Sequence, residues 1–392
     1  MRVLRIIATM DPVSGGPCQG IRNSIPALDR LGVHTEVVSF DSPDADFLKK
    51  DGFTIHALGP ARGPYSYAKK YSDWLRKHIR DFDILIIHGL WLYNSYGTYR
   101  IWNNAKRTYK NFPALFVMPH GMLDPYFQKA PERRLKAIRN RMFWNLFESR
   151  VINQSSGVLF TCQQELELAR TTFNSYRPNL EINVGYGIQS PPSFKQSFDK
   201  ALRIAVPDLK DQSYWLFLSR VHKKKGVDLL VKSYLKLLNK HQDIPDLIIA
   251  GPGLETEFGK RMLQLGKHQK IHFPGMLVGD SKWGAFYGCD AFVLPSHQEN
   301  FGIAVAEAMA CEKPVLISDQ VNIWREIAKG GGGLICQDLE SSTYETLARF
   351  NALSNLERAN MGHCARNVYL EHFSIDKAAK KMHNQLNSAL KK

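Results

Sequence analysis

The six cysteines of this 392-residue chain, at positions 18, 162, 289, 311, 336 and 364, include no C-x-x-C pair. That spacing disfavours metal ligation by thiolates, and a disulfide framework is uncommon in a chain this long. Cys162, Cys289 and Cys336 adjoin apolar strand-like runs, where a thiol behaves as a small core residue. A reducing compartment fits, with the cytoplasm as the default. No run approaches the roughly 18–20 apolar residues that a bilayer-spanning helix needs. The opening MRVLRIIATMDP is too short in apolar residues for a secretory segment and reads as a first strand. Internal repeats and low-complexity tracts are also missing. With 44% hydrophobic and 23% charged residues, wholesale disorder is excluded.

What the chain has in excess is positive charge, formally +15. Such a field attracts anions without choosing between nucleic acid, anionic lipid headgroups and sugar nucleotides. Short aliphatic or β-branched runs alternate with amphipathic stretches throughout. The first half offers strands at Val3–Thr9, Thr35–Phe40, Ile84–His88, Ala114–Met118, Gly157–Thr161 and Glu181–Val184, with helical patterns at Tyr67–Arg80 and Arg133–Asn153. The second half offers Tyr214–Ser219, Leu247–Ala250, Lys270–Phe273, Ala291–Pro295, Pro314–Ser318 and Gly333–Cys336. This alternation predicts βαβ units and parallel sheets. Residues 185–213, carrying three prolines, read as an irregular linker. The expected architecture is α/β, with two Rossmann-like doubly wound sheets facing a central cleft where ligands bind. The boundaries are residues 1–190, 191–372 and a C-terminal helix over 373–392 that can pack back on the first domain.

The richest segment is LPSHQENFGIAVAEAMACEKPVLIS, residues 294–318. A buried strand gives way to a polar loop, and a helix of small residues is expected from near Phe301. Glu299 and Glu307 flank the helix start, at most roughly 12 Å apart at about 1.5 Å per helical residue. That is comparable to the span from sugar ring to ribose in an extended sugar nucleotide. Between them Asn300, Phe301, Gly302 and Ile303 offer backbone N–H groups where the helix dipole favours anions. The competing interpretation is an ordinary strand–loop–helix with Asn300 as N-cap.

In FLSRVHKKKGVDLLVKSY, residues 217–234, a strand ends at Ser219–Arg220 and a helix follows Gly226. Arg220 and Lys225 are thus expected at the carboxyl edge of the second sheet, where fixed cations stabilise a departing diphosphate. Lys223 and Lys224 read as solvated. Gly15 and Gly16 form a turn after the first strand, but the pattern is not G-x-G-x-x-G, which counts against a dinucleotide-dependent dehydrogenase. His120, in FVMPHGMLDPYF, ends a strand before Gly121, and His88, in IIHGLW, ends another. Either position suits a ligand site or a structural imidazole.

Residues 294–318 resemble the Glu-x7-Glu motif of the retaining GT-B glycosyltransferases, family 4. The resemblance implies that Glu299 contacts the donor sugar, that Glu307 holds the ribose, and that the N–H groups of Phe301–Ile303 meet sugar hydroxyls or phosphate. Arg220 and Lys225 match the residues that grip the donor diphosphate. His120 matches a histidine beside the donor sugar, Gly15 and Gly16 a loop over the phosphates, and Gly253 a turn at the cleft edge. FPGMLVGDSKW is similar to the segment whose backbone meets the base, around Leu277 and Val278. His88 is an acceptor-side candidate. Glu312 departs from the pattern, which usually has glycine there. HGMLDP is similar to a branch involved in bacterial cell-surface polysaccharides.

The expected activity is transfer of a sugar from a nucleotide-diphosphate donor to a hydroxyl of a glycan or lipid-linked acceptor, with retention. No cofactor and no metal is called for, since cations already face the diphosphate. The basic segment 131–151 carries apolar residues at Leu135, Ile138, Met142, Leu146 and Phe147. It permits peripheral contact with an anionic membrane, but a stripe turned into the core is favoured. Rival readings are a nucleic-acid or anionic-ligand binding protein without transferase activity, or another GT-B enzyme such as a sugar-nucleotide epimerase or a phosphorylase. No nucleic-acid-binding motif is visible.

Overall fold

The computed structural model describes residues 1–130, 133–209 and 212–391. The chain forms two compact units, Met1–Gly187 with Ile375–Lys392, and Ile188–Ser374. Seven strands build the first: β1 Arg2–Ile6, β2 His34–Ser39, β3 Ile55–Ala57, β4 Ile84–His88, β5 Ala114–Met118, β6 Gly157–Phe160 and β7 Glu181–Asn183. Six build the second: β8 Tyr214–Leu218, β9 Asp246–Ala250, β10 Ile271–Gly275, β11 Ala291–Leu294, β12 Val315–Ser318 and β13 Gly333–Cys336. Every pairing is parallel. The orders are β3-β2-β1-β4-β5-β6-β7 and β10-β9-β8-β11-β12-β13. In both the chain reverses direction across the sheet at its first strand, between β1 and β4 and between β8 and β11. Crevices for ligands open at the carboxyl ends of strands at such switch points.

The strands are apolar runs because helices cover both faces. Every residue of β4, Ile-Leu-Ile-Ile-His, is buried. Since side chains alternate between faces, Leu4, Ile6, Leu85 and Ile87 enter one core layer. Val3, Ile84, Ile86 and Phe116 enter the other, together with Ala379, Met382 and Leu386 of the final helix, Ile375–Leu390.

Two expectations need correction. The presumed irregular linker contains a helix, Gln196–Ala205, whose Phe198 and Leu202 are buried. They sit four residues apart on one face, and Pro191, Pro192 and Pro207 fall outside the helix, so nothing interrupts it. The basic segment forms a helix Arg134–Phe143, a π turn Trp144–Glu148 and a helix Ser149–Gln154. Its apolar stripe faces outward: Leu135 is 83% exposed, Ile138 60%, Met142 58% and Leu146 54%. The core contact is made instead by Trp144, Val151 and Ile152. The first part of that segment, residues 131 and 132, lies outside the described residues. The short β3, at the edge of its sheet and only partly buried, carries too weak a pattern to be read in advance.

Candidate active site

In the second unit the loops after β8 and β11 meet because these strands are neighbours at the switch point. Gly226 makes that meeting close. It adopts φ +66, and a Cβ there would lie 1.9 Å from the Pro295 carbonyl oxygen. The Lys224 carbonyl accepts from the His297 N–H at 2.9 Å. Lys225 is thereby laid against Glu299, and their ammonium and carboxylate form an ion pair with side chains 9% and 20% exposed. Burial alone pushes the Glu299 carboxyl up. Lys225, then Lys224 and the Asn300 N–H, outweigh it and hold the group below the usual carboxylate range. The Glu299 backbone is fixed as well, donating to the Gln320 carbonyl at 3.0 Å and accepting from the Asn322 N–H at 3.0 Å.

The helix after this loop runs Ile303–Ala310, two residues later than expected. Its N-cap is Gly302, left-handed at φ +80 with no side-chain cap, so Asn300 does not cap it. Phe301 is buried edge-on against Phe373, with ring centroids 5.4 Å apart. Glu307, one turn into the helix, accepts from Lys282 Nζ at 2.7 Å. Burial pushes the Glu307 carboxyl up and Lys282 opposes it. Lys282 comes from the helix Gly279–Gly288, whose N-cap is the exposed Val278. Glu312 adopts φ +63, which gives a conformational reason for glycine at that position.

Arg220 is exposed on the same loop system. Gly253 lies beside it in chain path, since the Val221 N–H donates to the Pro252 carbonyl at 2.8 Å. Arg220, Lys225, Glu299, Asn300, Phe301, Gly302, Ile303 and Glu307 thus occupy the two loops and one helix at the β8–β11 switch. Val278 enters through the helix that carries Lys282. Lys282 itself was missed, although it stands in a segment already singled out. A lysine on the first exposed turn of a helix reads as solvated until its partner is known.

In the first unit β4 and β5 place His88 and His120 side by side. His88 Nδ1 and His120 Nε2 share a hydrogen bond of 2.8 Å, and the rings stack at 5.1 Å. His120 holds φ +53, a left-handed backbone that costs about 1–3 kcal/mol and clusters at functional sites. Gly121 is anchored by its N–H to the buried Glu165 carboxylate. Burial, with the charge of Arg5, pushes the His120 imidazole down to about 3. Burial, then His120 and Arg5, push His88 well down too. Both rings are neutral near pH 7. Gly15 and Gly16 open the helix Gly16–Asp29, with Gly15 at φ +86. They do not join the histidine pair, but Gly20 and Ser24 of that helix line the same cavity as His88 and His120.

Comparison with known proteins follows the division into halves. Residues 15–183 match the family model described as glycosyl transferase 4-like domain, and residues 199–367 that of glycosyl transferases group 1. An uncharacterized glycosyltransferase of Methanocaldococcus jannaschii is 31% identical over 38% of the chain and 36% of its own length. The chain therefore spans about a third of that relative. The lipopolysaccharide core biosynthesis mannosyltransferase LpsB of Rhizobium meliloti is 28% identical over 72% of the chain and 77% of its own. The structure of Anabaena HepE in complex with UDP and glucose aligns over 99% of the chain and 100% of its own, at TM-score 0.74 and 17% identity. At that identity the likeness speaks for the fold, which is α/β of the GT-B type.

Proposed function

The chain is a glycosyltransferase, with a 4-like domain followed by a group 1 domain, and on that premise we propose that it transfers a sugar from a nucleotide-diphosphate donor to an acceptor hydroxyl with retention of configuration. The observation that carries this reading is the pair of partly buried carboxylates, Glu299 and Glu307, each held by its own lysine around one helix start. Glu299 is kept ionised and turned to the donor sugar. Glu307 accepts from the ribose hydroxyls, and the backbone around Val278 meets the base. Arg220 and Lys225 neutralise the diphosphate, with the N–H groups at Phe301–Ile303 and the Gly15–Gly16 turn adding donors. His120, neutral and rigidly held, hydrogen-bonds the sugar, and His88 positions it.

In the proposed step the bond from the anomeric carbon to the diphosphate oxygen breaks, leaving an oxocarbenium-like centre. The acceptor oxygen bonds to that carbon on the departing face, and its proton passes to the released diphosphate. The chain contributes charge stabilisation and positioning, and no cofactor is invoked. HepE was solved with UDP, so UDP is the first base to test. The relationship to LpsB favours a glycan or lipid-linked acceptor in polysaccharide synthesis. The exposed stripe Leu135–Leu146, flanked by Arg134, Lys136, Arg139 and Arg141, supports docking on an anionic membrane that presents such an acceptor. No helix of the described residues is long and apolar enough to cross a membrane.

The test is thermal unfolding of wild type and Glu307→Ala with UDP, GDP or ADP. One nucleotide should stabilise wild type by about 2–3 kcal/mol at roughly a hundredfold excess over Kd, and the variant should lose most of it. If none shifts the wild type, the donor site is misassigned.

A further inference from the structure

Arg5 sits in the middle of β1, on the face shared with Val3 and covered by the helices Gly16–Asp29 and Ile375–Leu390. It is 3% exposed. A guanidinium carries five N–H donors, and among the described residues the acceptor within reach is the Met382 sulfur, at 3.7 Å. Its Nε has no partner. A cavity opens beside it, lined among others by Ser24, His88, His120, Tyr186 and Met382, and no carboxylate lines it. His88 is 3% exposed, and its Nε2 also has no partner. Ser24 and Tyr186 have already committed their hydroxyl protons to the Gly20 and Gly16 carbonyls.

A charge taken out of water is paired, or it costs several kcal/mol. Burial lowers Arg5, but only to about 10, so the guanidinium stays charged at neutral pH. Among the described residues none offers it a counter-ion. We infer that this cavity is a binding site for a small monovalent anion, held by the Arg5 guanidinium and the Nε2–H of His88. Its volume is about 30 Å³, on a measure where one water needs about 10–15 Å³. That is room for chloride or a lone carboxylate of formate size. An anion accepting from His88 Nε2–H also fixes tautomers: His88 Nδ1 then accepts from His120 Nε2–H. The site lies within the first unit and adjoins His88 and His120, to which the sugar-transfer reading gives roles, but the anion titration below does not depend on that reading.

Thermal unfolding of the full chain in sodium gluconate, exchanged stepwise for sodium chloride or sodium formate at constant ionic strength, tests this. Wild type should show a saturable rise in Tm of about 2–8 °C with chloride or formate. Arg5→Met should show no anion-dependent rise and, in gluconate, should melt at or above wild type, because an unpaired buried charge has gone. No specific rise in wild type, or an undiminished rise in the variant, overturns the site. Should Arg5→Met fail to fold, anomalous diffraction from wild-type crystals in saturating bromide decides. A peak beside the Arg5 guanidinium supports the site, and an empty cavity refutes it.

Discussion

Glu148 is wholly buried, and its carboxylate accepts from the Trp91 N–H at 2.8 Å and the Ser95 hydroxyl at 2.6 Å. Burial outweighs those two bonds and pushes the carboxyl up to about 7. The folded protein therefore holds this proton more tightly than the unfolded chain. Its contribution to stability is complete below about pH 4 and is lost as the pH climbs to 7 and beyond, about 3 kcal/mol in all. Glu148→Gln should flatten that decline, melting higher than wild type at pH 8 and close to it at pH 5 in parallel thermal scans. An unchanged slope would show that the carboxyl ionises freely. Glu299 behaves oppositely, since its lysine neighbours keep it charged to lower pH. Glu299 and Glu307 could be picked out in the sequence because their spacing around a helix start carries the information. Arg5 could not. In MRVLRII an arginine alternating with apolar residues reads as the wet face of a strand. Only the central place of β1 in its sheet, under two helices, turns that face inward.

The helix Arg134–Phe143 and the π turn after it show what periodicity can and cannot reveal. Spacing predicted an apolar stripe correctly but could not say what covers it, because cover is a property of neighbouring elements. If the stripe docks on a bilayer, replacing Leu135, Ile138, Met142 and Leu146 with serine should cut flotation on anionic vesicles at least tenfold. It should change folding stability by little more than about 0.5 kcal/mol per site, since these side chains are mostly in water. Equal flotation by the variant, or by wild type on neutral vesicles, would remove the membrane contact. The helix Gln196–Ala205 errs the other way. Prolines at its borders made the whole stretch look irregular, whereas a proline outside a helix constrains only the ends.

Across the whole molecule the alternation of strands and helices was plain in the sequence, and both sheets follow the same order with a switch beside the first strand. The final helix gives Ala379, Met382 and Leu386 to the core layer that holds β1, β4 and β5. Removing residues 375–392 should destabilise the first unit by about 5 kcal/mol, judged from the burial of one leucine, one methionine and smaller groups. The second unit, Ile188–Ser374, should keep its own transition. Calorimetry of the truncated chain would show one lowered and one unmoved peak, and two unmoved peaks would mean that the helix is dispensable. The same arrangement has a consequence in time. On the ribosome the second unit is whole as soon as Ser374 emerges, while the first, begun earlier, waits with one face of its sheet uncovered until the last helix is made. An apolar face held open through most of synthesis is the surface a chaperone would be expected to guard.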